Sequence, residues 1–216
     1  MSYEKSYDEG VERLEGGDMA SAARIFKECA RQKPGDYNAW LYLGIALTEL
    51  QDYQDAIAAL KECIKIDGNL PHAFTNLGIV YQKMNDTAEA VRHFYKATKV
   101  DPTDINARIN LGMAYYKTRN KVMEAMFEFK YVLEHDDSIP DVWSSAGLIF
   151  VDLQKKPFAL YCFQKAEALG HRSSRVHSLI LDFKFDGIAP KNPLDPDVKE
   201  TAFLPVKKDV LTQKKD

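Results

Sequence analysis

The feature that most constrains this chain is a repeat of 34 residues. Gly10, Gly44, Gly78 and Gly112 recur at that interval, and Gly147 follows after 35. Ala22, Ala56, Ala90, Ala125 and Ala159 keep the same steps, as do Phe26, Leu60, Phe94, Phe129 and Phe163. A period in this range marks a chain of stacked supersecondary units. Each unit is unable to bury its own apolar face, and its neighbour completes it. The register divides the chain into units at 3–36, 37–70, 71–104, 105–139 and 140–173. The extra residue of the fourth unit falls where Tyr81-Gln82-Lys83-Met84-Asn85 becomes Tyr115-Tyr116-Lys117-Thr118-Arg119-Asn120.

Each unit reads as two helices. In the second, Trp40, Leu43 and Leu47 form one apolar stripe at spacings of three and four; Ala56, Leu60, Cys63 and Ile64 form another. Short polar turns separate the stripes, at Glu15-Gly16-Gly17-Asp18, Gln51-Asp52, Asn85-Asp86, Arg119-Asn120 and Gln154-Lys155-Lys156. Asp52 and Asp86 each stand where a side-chain oxygen can cap the helix that follows, with an acid three residues in. Pro157 suits a first helical turn, where its missing N–H costs nothing. A glycine inside a helix costs about 1 kcal/mol against alanine. Its return in every unit therefore implies a recurrent close approach of helices.

These residues resemble the tetratricopeptide repeat family. The third unit carries the pattern almost throughout, with Phe74, Leu77, Gly78, Tyr81, Ala90, Phe94, Ala97 and Pro102. The fourth departs by placing Arg108 where a large apolar residue belongs. The first departs most, with Ser6, Glu9 and Arg13 at apolar places, as suits a terminal unit with one uncovered face. The resemblance implies an all-α, right-handed superhelical solenoid of about five helix-turn-helix repeats. Residues 174–185 read as a helix capping the array. Residues 186–216, with Pro190, Pro193 and Pro196, read as a flexible tail. The apolar island Ala202-Phe203-Leu204-Pro205-Val206 has a second reading, as a segment docked on the repeats of this or another chain.

The resemblance also implies a function: a concave groove, lined by the first helices, that binds a peptide or helix of a partner protein. Carried over place by place, the groove residues are Tyr7, Asn38, Tyr42, Asn76, Ile79, Asn106, Asn110, Met113 and Tyr116. Asn76 and Asn110 hold the same place in successive units. An amide offers donor and acceptor together, so the pair could match the backbone of an extended peptide; the other reading is that both serve their own array. The family's clamp for a terminal carboxylate needs lysines and an arginine at groove places, and no register of this sequence supplies them.

Other chemistry has little support. The 29 basic and 32 acidic residues leave a net charge of -3, with no global pull toward nucleic acid. No run of apolar residues approaches a membrane span, and no secretory signal follows Met1. Three cysteines suit a reducing compartment, most simply the cytoplasm. Cys29 and Cys63 fall at small interior places, while Cys162, beside Phe163, reads as partly exposed. His72, His93, His135, His171 and His177 are scattered, so no metal site, cofactor or catalytic group is expected. The expectation is a non-catalytic adaptor. The alternative is a homo-oligomeric scaffold assembled through the terminal repeats or the tail.

Overall fold

The computed structural model describes residues 2–118 and 120–204. Their regular structure is helical, and it forms two compact units, one up to Ala114 and one from Tyr115 onward. The first unit holds α1 (Tyr3–Glu15), α2 (Met19–Gln32), α3 (Tyr37–Glu49), α4 (Tyr53–Ile66), α5 (Pro71–Lys83), α6 (Thr87–Val100) and most of α7 (Ile105–Lys117). The second holds α8 (Val122–His135), α9 (Pro140–Asp152), α10 (Lys156–Ala168), α11 (Ser174–Phe185) and the short α12 (Lys199–Ala202). In the first unit each helix from α1 to α5 packs on its successor in the chain, and α3 also touches α5. The second repeats the order from α8 to α11.

The helix pairs close because a glycine on the first helix receives a large side chain from the second. A Cβ on Gly78 would stand 2.5 Å from the Phe94 ring, and one on Gly44 would stand 2.6 Å from Leu60. Gly10 meets Phe26 in the same way, and Gly147 meets Phe163. Those four large residues are fully buried.

The turn within four of the five repeats is also a repeated object. One residue takes left-handed backbone: Gly17 (φ +80°), Gln51 (+65°), Asn85 (+61°) and Gln154 (+57°). The amide after it donates back to the sixth-from-last residue of the motif: Asp18 to the Arg13 carbonyl, Asp52 to Leu47, Asp86 to Tyr81 and Lys155 to Phe150, at 2.8–2.9 Å. This is the Schellman closure of a helix. Asp18 and Asp86 then cap α2 and α6 through their carboxylates. Asp52 makes no side-chain cap bond, contrary to the sequence reading; only its carbonyl serves α4, accepting from the Ala56 amide.

Between repeats, Asp67, Asp101 and Asp136 accept the amide two residues on, at 2.8, 2.8 and 3.0 Å. The side chain thereby imitates a backbone turn. A second recurring bond explains the odd residue of the fourth repeat. The indole N–H of Trp40 donates to the Pro34 carbonyl at 3.0 Å, and that of Trp143 to the Asp137 carbonyl at 2.7 Å. Arg108 Nε donates to the Pro102 carbonyl at 2.8 Å. Each donor lies six residues past its acceptor. The guanidinium thus does what the indole does elsewhere, and the polar substitution keeps the turn fastened.

In the second unit α11 lays Val176, Ile180 and Phe183 inward, with the Phe183 ring 6.5 Å from Phe163. The chain then turns back. The Lys191 amide donates to the Pro157 carbonyl at 3.0 Å, and Ala202 and Phe203 are buried. Phe203 lies 5.6 Å from the Phe150 ring, and the Lys130 ammonium stands 5.4 Å above it. Lys155 Nζ donates to the carbonyls of Thr201 and Ala202 at 2.8 Å and of Leu204 at 2.5 Å. The described part of the apolar island therefore packs on the chain's own repeats. The rest of the expected tail, residues 205–216, lies outside the described residues.

Two predictions follow from this packing. Gly78→Ala gains helix propensity worth about 1 kcal/mol but forces a methyl into a buried ring, and overpacking costs about 1–3 kcal/mol. A net lowering of the urea midpoint is expected; a raised midpoint would show that Phe94 can move aside. Lys155→Met keeps the length of the side chain and removes its three bonds. Amide exchange across residues 192–204 is expected to quicken about tenfold, with exchange in α9 little changed, as hydrogen-exchange mass spectrometry would show.

Candidate functional site

The groove residues of the first unit divide into packing residues and presented residues. Tyr7 and Tyr42 belong to the first kind. Their rings are 6.0 Å apart, Tyr7 meets Phe26 edge-on at 5.7 Å, and Tyr42 stacks on Phe26 at 5.2 Å. Both flank the cluster of Ala22, Phe26, Leu43 and Ala46. Burial, with the hydroxyl of Tyr42 as neighbour, pushes the Tyr7 phenol well above its ordinary range. These aromatics join α1, α2 and α3, and each keeps an edge at the surface. Asn38 sits at the start of α3, where its backbone N–H donates to the Asp36 carboxylate at 2.9 Å. It lines a cleft of about 310 Å³ with Tyr3, Tyr7, Asp8 and Asp36.

Ile79, Asn110 and Met113 are half-buried on α5 and α7, and Asn106 is exposed one turn before Asn110. Asn76 Nδ2 donates to the His72 carbonyl one turn back, at 2.8 Å. That bond fixes the amide plane. The reading in which the pair serves its own array holds at Asn76. One of its two N–H donors serves the helix, and its oxygen is not used by that bond. Tyr116 belongs to the second unit. Its hydroxyl donates to Asp152 at 3.2 Å, and burial together with that carboxylate pushes the phenol up to about 12. Cys29, Cys63 and Cys162 are all buried and free. Burial raises the Cys63 thiol to about 11 and pushes the Cys162 thiol well above its ordinary value; Cys162 is fully buried and not partly exposed.

The site that sequence reading missed lies among the second helices. A trough of about 790 Å³ runs between α2 and α4 over α3. Its floor is Trp40, Leu43 and Leu47, and its walls include Ala23, Ala30, Ala58 and Ala59. Arg24, Lys27 and Arg31 line the α2 rim; Asp55 and Glu62 line the α4 rim. The signal is present in the sequence, at the same register places of the next repeat. Ile57, Ile64, Arg92 and His93 stand there for Ala23, Ala30, Ala58 and Ala59. His93 lies in that counterpart as a plug, parallel to the Tyr81 ring at 5.3 Å and stacked with Phe74 at 6.4 Å. In the second unit, Phe150 and Lys130 hold the places of Leu47 and Lys27, and there the chain's own Phe203 rests on both. Leu194 enters the same counterpart beside Leu133 and Asp137, the places of Ala30 and Pro34.

Among the described residues no group of His, Cys, Asp or Glu could hold a metal ion. No described helix is long and apolar enough to cross a membrane.

Two family models, each described as tetratricopeptide repeat, match residues 7–71 and 71–104. No curated protein sequence matches the chain. Among solved structures, MamA of Desulfovibrio magneticus RS-1 is 23% identical, covers 77% of this chain and 94% of its own, and superposes with a TM-score of 0.69. PilF of Pseudomonas aeruginosa is 16% identical, covers 86% and 84%, and reaches 0.77. YrrB, described as a TPR protein with an unusual peptide-binding site, is 19% identical, covers 83% and 90%, and reaches 0.64. At these identities the likeness shows the fold.

His93 gives the first unit a pH dependence. Burial first, then the Arg92 charge, lowers its imidazole from 6.5 to about 4, against a smaller opposing pull from Glu89. Its Nδ1 is buried without a hydrogen-bond partner among the described residues. Between those two values the unfolded chain binds a proton that the folded chain refuses. Stability therefore falls as pH drops from 6.5 toward about 4, by on the order of 2–3 kcal/mol from this group. His93→Phe keeps a ring on Tyr81 and removes that slope. Urea midpoints at neutral pH and near the lower value are expected to converge in the variant relative to the parent; equal losses in both would show that the imidazole plays no part.

Proposed function

Since the chain belongs to the tetratricopeptide repeat family, we propose that it is a non-catalytic adaptor whose first-helix face takes a peptide or helix of a partner protein. The tetratricopeptide fold mediates protein–protein interaction. The finer reading rests on α5 and α7, where Asn76 and Asn110 stand at one register place with Ile79 and Met113 one turn further along. The observation that carries it is the fixed Asn76 amide, with its donor bound to the His72 carbonyl and its acceptor on a half-buried face. A prepaid orientation of this kind lowers the entropy cost of gripping an extended backbone. Ile79 and Met113 supply apolar contact at the same level, and Tyr7 and Tyr42 hold the adjoining helices in place. Asn38 and Asn106, at the starts of α3 and α7, would set the register of the ligand. Tyr116 with Asp152 offers the second unit a comparable polar edge. Three buried free thiols accord with a reducing compartment, and we assign the protein to the cytoplasm on that ground.

The geometry also selects the test. Tyr42→Ala would open a hole beside Phe26, so its loss of binding would say little. Asn76→Ala with Asn110→Ala leaves the packing alone. Peptides selected on the immobilised natural protein from a displayed random library should bind the double variant about tenfold or more weakly, with an unchanged helical signal. Undiminished affinity would move the peptide site off this face.

A further inference from the structure

We infer that α11 of one copy docks in the trough between α2 and α4 of a second copy. The inference is independent of the peptide-face reading and uses none of its residues.

The docking ridge is on α11. Ser174, Ser178, Leu181 and Phe185 follow at steps of four, three and four, which puts them on one side of a helix. The opposite side, Val176, Ile180 and Phe183, is the one buried on the unit. Leu181 is 53% exposed and Phe185 93% exposed, one turn apart. An aromatic and a leucine presented together to water mark an interaction surface. The two serines beside them are small enough for a helix or helix pair to approach closely.

The trough has the complementary shape and charge. Alanines at Ala23, Ala30, Ala58 and Ala59 leave open the space that larger residues fill in the next repeat, over the apolar floor of Trp40, Leu43 and Leu47. The counterpart in the second unit already shows what such a groove accepts, because an aromatic of this chain, Phe203, lies there against Phe150. On α11, Asp182 and Lys184 fall on opposite flanks of the Leu181–Phe185 ridge. On the trough, Arg31 and Glu62 are engaged by Glu28 and Lys65 of their own helices. Arg24 and Lys27 on the α2 rim, and Asp55 on the α4 rim, then face an occupant. Asp182 toward α2 and Lys184 toward α4 pairs opposite charges on both sides and fixes the direction in which the helix lies. The two surfaces differ, so the contact is heterologous and leaves each copy with an unused ridge or trough until a ring closes.

The test uses the full chain and two surface variants. Phe185→Asp removes the ridge. Ala58→Arg places across the trough the residue that Arg92 supplies in the next repeat, at an exposed position that leaves the core intact. Sedimentation velocity over a wide concentration range is expected to show association of the natural chain and about tenfold or weaker association of each variant alone. An equal mixture of the two variants should recover a one-to-one complex that grows no further, since one supplies the only ridge and the other the only trough. Asn76→Ala with Asn110→Ala should associate like the natural chain, so that failure here and failure of the peptide face are separate results. A natural chain that stays monomeric, association that survives in either variant, or a mixture that does not associate would each overturn the inference. Circular dichroism checks that both variants keep the natural helical signal.

Discussion

The fold depends on one contact, a large second-helix side chain seated against a first-helix glycine. At Gly44 with Leu60 and at Gly78 with Phe94 the approach is too close for any Cβ. It sets the distance between paired helices, and the distance in turn brings small residues such as Ala56 and Ala90 into the same interface. The cost is an interior glycine in every first helix, about 1 kcal/mol each in propensity. Burial of a whole ring or isobutyl group, worth about 1.5–3 kcal/mol, exceeds it. Once that contact is repeated, the turns are constrained as well, and this is why Gln51 and Gln154 accept left-handed backbone that glycine holds at Gly17.

That contact was legible in the sequence because it requires particular residues at a fixed interval. Helix pairing, the places of the turns and Pro157 in a first helical turn followed from the same register. What could not be read were interactions in which different residues do one job. Arg108 looks like a lost core position, yet it donates to the Pro102 carbonyl as Trp40 does to Pro34. Asp52 looks like a cap and makes no side-chain cap bond. The latch from Lys155 to Thr201, Ala202 and Leu204 joins residues far apart in the chain through backbone oxygens, which carry no sequence signature.

The candidate site was legible in the same uneven way. Register placed Asn76, Ile79, Asn110 and Met113 at partly buried positions, and it placed Tyr7 and Tyr42 in the same set. Those two are held by Phe26 and act first as structure. A place in the repeat says which way a residue points. Whether the residue is used up in packing depends on its size and on the neighbour it meets, and Phe26 is larger than the Leu60 found one repeat later.

The second-helix grooves carry this argument furthest. Two register places are filled differently in three repeat pairs: by alanines at Ala23 and Ala30, by isoleucines at Ile57 and Ile64, and by Met126 and Leu133. The outcomes are an open trough, a groove plugged by His93, and a groove that holds Phe203. The glycine contact persists beside both fillings in the first two of these repeats, at Gly10 with Phe26 and at Gly44 with Leu60. The array can therefore vary its outer grooves without altering its helix spacing. In a repeat protein of this kind the conserved step builds the frame, and the departures from it decide which surfaces remain to be occupied.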